Sequence, residues 1–200
     1  MRCFAAVLFT GSAWLGATSA AMAQTPAEPD AAALEACAQS AVQALPQSAS
    51  SPPQRPTLPD RLSATGQRRV LLYLWSPRMV LSAEHAGEVQ AVAQALGLAW
   101  LPVFDPRLPQ AEVHAALASA AIPPLARTAL RASWPLCDRA LLQAPQTLRH
   151  FPTAFVYVQD EKGAWQRLGL PIVSAMPSVF WREAIEQRLA LAQIANTTKK

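Results

Sequence analysis

Residues 70–75, Val-Leu-Leu-Tyr-Leu-Trp, form an unbroken apolar run directly after two arginines. A strand with one wet face alternates apolar and polar side chains, whereas a run without alternation belongs to a strand covered on both faces. A chain holding such a strand therefore needs a layer on each side of a sheet. The residues that follow supply part of one. Val80, Ala83, Val89, Val92 and Leu96 recur at helical spacing over 79–96, and Gly97 stands where a helix C-terminus takes a left-handed residue.

The same alternation of period continues to the C-terminus. LAWLPVF, 98–104, reads as a second strand closed by Asp105-Pro106, and two short helices are expected over 109–119 and 123–132, with a third over 137–146. TAFVYVQ, 153–159, and WQRLGLPIV, 165–173, read as two strands joined by a hairpin through Asp160-Glu161-Lys162-Gly163. A last helix begins at Pro177, with Val179, Phe180, Ile185 and Leu189 as its expected buried stripe. Strand, helix, strand, helices, hairpin and helix specify an α/β fold with a central mixed sheet flanked by helices.

Before this domain, expected over 61–195, the chain is of a different kind. Residues 1–23 have one arginine, an interrupted apolar stretch and Ala21-Met22-Ala23, the features of a cleaved secretory signal rather than a membrane anchor. Export into a bacterial periplasm is the expected destination. Residues 24–60 then hold an N-terminal helix, with Asp30 as N-cap and Ala33, Leu34, Cys37, Ala41 and Leu45 on one face, followed by five prolines between 46 and 59, read as an extended connector. Residues 196–200 form a tail. No later segment is apolar enough to span a membrane. The formal charge of +4 is spread along the chain, so it makes no nucleic-acid footprint.

Cys3 leaves with the signal, so Cys37 and Cys137 form the one cysteine pair of the exported chain. An oxidising compartment makes them a candidate disulfide. Neither lies in a CxxC, the arrangement that draws a thiol pKa into the reactive range. A structural bridge, two free thiols and a cycling redox pair are the three alternatives.

From residue 69 to about 192 the element order resembles the thioredoxin superfamily. Two local matches carry the resemblance: the strand ending in Leu74-Trp75 before a turn and a helix, and Phe151-Pro152-Thr153 before the strand 154–158. The latter is similar to the family's Pro-Thr signature, whose proline is cis and stands beside the active site. Without gaps, the resemblance puts Met79 and Ser82 at the two cysteine positions of the family's CxxC; a gapped register puts Ser76 and Met79 there. Either way both thiols are absent. Disulfide exchange needs an attacking thiolate and a second thiol to resolve the mixed disulfide, and neither methionine nor serine provides one.

The resemblance thus implies a site kept in shape and without redox chemistry, formed by Trp75, Arg78, Met79, Ser82, Phe151, Pro152 and Thr153. Its expected use is binding a protein or extended peptide, in an accessory or assembly role, with no catalytic residue, cofactor or metal. Arg78 either swings into solvent or receives an acidic group from a partner. Trp75, Phe155, Tyr157 and Phe180 are expected in the core, with Trp134 and Phe151 nearer the surface. Ser82 and His85 share a helix face, yet no third group orients the imidazole for nucleophilic catalysis. His85, His114 and His150 stand on separate elements without metal-ligand spacing. The alternative function is a thiol-disulfide oxidoreductase, or a redox-responsive protein, that uses Cys37 and Cys137.

Overall fold

The computed structural model describes residues 32–33, 35–37, 56–142 and 147–197. The signal expected over 1–23 lies outside them, as do most of the Pro-rich stretch and residues 143–146 of the third expected short helix. The described part of the N-terminal segment, 32–33 and 35–37, is helical (α1).

Strand β1 (Arg69–Trp75) runs through the middle of a six-stranded sheet. It pairs in parallel with β2 (Ala99–Phe104) on one side and antiparallel with β4 (Thr153–Gln159) on the other. A two-residue strand, β3 (Trp134–Pro135), extends the β2 edge in parallel, and β5 (Trp165–Arg167) pairs antiparallel with β4, giving the order β3-β2-β1-β4-β5. Strand β6 (Ile172–Val173) pairs with the beginning of β4. This is an α/β arrangement, with a mixed sheet between helices and a helical insertion between β2 and β4.

The continuous apolar run has its physical cause in this placement. Leu71, Tyr73 and Trp75 point into one cluster, with Val156 and residues of α4 (Ala86–Ala95), α6 (Pro124–Leu130) and α8 (Ser178–Thr197). Val70, Leu72 and Leu74 point into the other, with Val103, Phe155 and Tyr157, under α2 (Leu58–Ala64), α7 (Arg139–Leu142) and α1. Each fully buried side chain of this size contributes roughly 1.5–3 kcal/mol relative to exposure. Cys37 and Cys137 are disulfide-bonded, with Cα atoms 5.6 Å apart, and tie α1 to the segment after β3.

Four sequence expectations are corrected. The connector is not extended to residue 60, because α2 begins at Leu58 inside it. Thr57 and Asp60 form a reciprocal capping box, with the Thr57 backbone N–H donating to Asp60 Oδ2 at 2.7 Å, and a proline is tolerated in a first turn. The helix expected over 79–96 is two helices, α3 (Val80–Glu84) and α4, meeting at His85, and Val80 is exposed instead of buried. The strand expected over 165–173 is interrupted after Arg167, where Gly169 takes φ 63° and Pro171 has no N–H to give the ladder. Gly97, with φ 71°, and the Asp160–Gly163 turn stand as expected.

The fourth correction concerns α8. Its buried face carries Trp181 and Ile185, both 0% exposed, while Val179 and Phe180 are exposed. Trp181 fills the space beside Tyr73, at 6.1 Å between ring centroids, and that contact fixes the rotation of the helix. Trp181→Ala is expected to lower unfolding free energy by about 3–5 kcal/mol, and Phe180→Ala to change it by less than about 0.5 kcal/mol. Urea unfolding midpoints at constant slope read the difference.

Candidate functional site

The loops at the C-terminal end of β1 and before β4 are neighbours by register. Leu74 pairs with Thr153, so Trp75 and the residues after it run past Pro152. The Phe151–Pro152 peptide bond is cis, and the Pro152 carbonyl accepts the Ser174 N–H at 3.1 Å, which brings the chain after β6 to the same end. Thr153 Oγ1 donates to the His150 carbonyl at 2.6 Å and closes the turn. Phe151 is half-buried and packs against the cluster that contains Leu72 and Phe155.

Met79 is the N-cap residue of α3 and is 49% exposed, with no side-chain capping bond. Ser82 sits one turn on and is 0% exposed. Its Oγ accepts the Ser76 backbone N–H at 3.1 Å and lies 2.8 and 2.6 Å from the Ser76 and Met79 carbonyl oxygens, one of which receives its proton. Tyr73 Oη donates to the Ser82 carbonyl at 2.7 Å, and burial pushes this phenol well above its ordinary pKa. Serine 82 is thus a buried brace for the loop. Trp75 is equally inaccessible, with Nε1 donating to Ser133 Oγ at 2.9 Å. Neither residue presents a surface to a partner.

Arg78 is exposed, as one of the two expectations has it, and it is paired within the chain. Its Nε and Nη2 donate to Glu112 Oε1 and Oε2 at 2.8 and 2.9 Å, linking the loop to α5 (Gln110–Ala118). Hydrogen bonding to Arg78 holds the Glu112 carboxyl below the usual glutamate range, and the same pair raises the guanidinium. Glu112 has no sequence signal that would pair it with a residue 34 positions away.

Of the exposed apolar side chains around this end, Met79 alone is among the site residues expected from the sequence. Met79, Val80 and Leu81 are consecutive and each about half exposed or more. Leu125 is more exposed still and belongs to α6, which packs against α3 and lies so close to Gly87 that an added Cβ would be 3.0 Å from the Leu125 Cβ. Val179 and Phe180 open α8 at the same end, since the neighbouring Trp181 meets Tyr73, whose hydroxyl reaches α3.

The three histidines do not converge. His85 joins α3 to α4, with Nδ1 3.9 Å from Glu88 Oε2; His114 lies beside Gln110; and His150 precedes the cis-proline. Among the described residues no group of three metal-ligating side chains occurs, and no helix is long and apolar enough to cross a membrane.

Ser82→Ala leaves the buried Ser76 N–H without its acceptor, and a loss of about 1–3 kcal/mol in unfolding free energy is expected. The Glu112 titration gives an independent check. Its folded pKa is depressed, so the ion pair's contribution is full above the ordinary glutamate pKa and is lost as pH falls through the folded value. Arg78→Ala is expected to move the Glu112 carboxyl resonance midpoint upward in an NMR pH titration.

No protein-family model and no curated protein matches the chain. Among solved structures, it is similar to the 1.1 Å crystal structure of a secreted Mycobacterium tuberculosis disulfide oxidoreductase homologous to E. coli DsbE. The likeness has 15% sequence identity and a TM-score of 0.36, and covers 64% of this chain and 85% of that one.

Proposed function

We propose that this is an exported, periplasmic protein that binds an apolar segment of another protein at the β1–α3 end of its sheet and performs no thiol–disulfide exchange there. The observation that supports this reading is the pair of side chains at the ungapped cysteine positions. Met79 is exposed at the helix start beside Val80 and Leu81, and Ser82 is turned inward and hydrogen-bonded. A thioether has no proton to lose, and a buried serine hydroxyl neither ionises near neutral pH nor forms a sulfur bridge. What the face offers instead is adaptable apolar contact, in which methionine accommodates varied partner side chains. Phe151 and Pro152 lie at the same end of the sheet by register, and Trp75 and Thr153 are buried beneath it. The function is that of an accessory or assembly factor, with no cofactor involved.

Two measurements test it. With dithiothreitol as the reductant, the protein is expected to reduce insulin disulfides no faster than dithiothreitol alone, while Met79→Cys combined with Ser82→Cys accelerates that reduction measurably, because a cysteine pair at a helix start can pass the electrons on. For binding, an array of extended apolar peptides is expected to lose affinity by about tenfold or more with Leu81→Asp, and to be unaffected by Leu191→Asp near the far end of α8. Equal affinities for wild type and Leu81→Asp would remove this face from the interaction.

A further inference from the structure

The layer covering the second face of the sheet is held in part by a covalent bond. Ala33 of α1 is fully buried, and Cys37 packs against the cluster that contains Leu58, Leu62, Leu72 and Leu136. Cys37 Sγ lies 3.6 Å from the Leu136 carbonyl oxygen. The other half of the bond is placed differently. Cys137 follows the edge strand β3 and lines a cleft of about 440 Å³ together with Phe104, Leu108, Trp134 and Pro135. Clefts of a few hundred Å³ admit small molecules; both cysteines are partly exposed, and Cys137 is the one that lines the cleft.

Exchange at a disulfide requires a thiolate to reach one sulfur while the other departs. We propose that the Cys37–Cys137 bond is a redox latch: an external dithiol enters the cleft, attacks Cys137 Sγ and releases α1 from the sheet, with the rest of the domain still folded. The incoming thiolate forms a new S–S bond to Cys137 as the Cys37–Cys137 bond breaks, and Cys37 leaves as a thiolate that takes a proton from water. The reductant's second thiolate then attacks its own bonded sulfur, closing a disulfide within the reductant and leaving Cys137 reduced. Two electrons have passed from the dithiol to the protein. The domain survives because β1 keeps both ladders, the α4, α6 and α8 layer is untouched, and α2 still covers the second face. The latch does not depend on what binds at the Met79 face.

The test uses the folded, oxidised protein without denaturant. Brief exposure to 2-mercaptoethanol, which has no second thiol, followed by acid quench and peptide mass spectrometry, locates the first mixed disulfide. It is expected on Cys137 in about tenfold excess over Cys37. After complete reduction with dithiothreitol, amides of residues 35–37 are expected to exchange hydrogen about a hundredfold faster, while those of 70–75 keep their protection. A first adduct on Cys37, or equal adducts, would overturn the entry through the cleft. Unchanged protection at 35–37 would overturn the release, and simultaneous loss of protection in β1 would show a staple of the whole fold instead of a latch.

Discussion

Burial of β1 on both faces governs the architecture. Six of its seven residues are buried, so each face must find its own cover. The chain after β1 supplies the first layer locally, through α4 and α6, and completes it with α8. The second layer is gathered from α1 and α2 before β1 and from α7 after β3, segments distant in sequence. The disulfide joins two of these distant pieces. In the chain-entropy description a closed loop of this size stabilises by about 4.7 kcal/mol, a large share of the 5–15 kcal/mol typical of a whole domain.

The central elements were legible because their signals are local. The apolar run, Gly97 at a helix end and the Asp160–Gly163 turn each need only neighbouring residues, and each lies where the sequence puts it. The capping box at Thr57 and Asp60 is equally local, and a proline in a helix's first turn is no obstacle to it. The rotation of α8 was not legible. Phe180 and Trp181 are adjacent, and only the space beside Tyr73 decides which turns inward. Strand β3 is two residues long and exists through pairing with β2, so no periodicity announces it.

The candidate site divides along the same line. The resemblance carried by Leu74-Trp75 and Pro152-Thr153 supplies the expected position, and the register of β1 with β4 makes those two segments neighbours. The composition of the site was not legible, because exposure depends on tertiary packing. Trp75 and Ser82 are braces beneath the surface, while Val80, Leu81, Leu125, Val179 and Phe180 are exposed. Ser82 bonds two turns of backbone and is held fixed there. The Arg78–Glu112 pair then holds the outer loop against α5, so the segment joining β1 to α3 is anchored from inside and outside alike.

The covalent link between Cys37 and Cys137 also divides the molecule mechanically. The ring of chain it closes contains α2, β1, α3, α4, β2, α5, α6 and β3, whereas α7, β4, β5, β6 and α8 lie beyond it. Tension applied to the two ends of the polypeptide bypasses everything inside the ring, since the force crosses from one sulfur to the other. The pulled load falls on α8 and then on the antiparallel ladder between β1 and β4. Under stretch, the parallel half of the sheet is a protected knot of structure and the hairpin half is a removable flap.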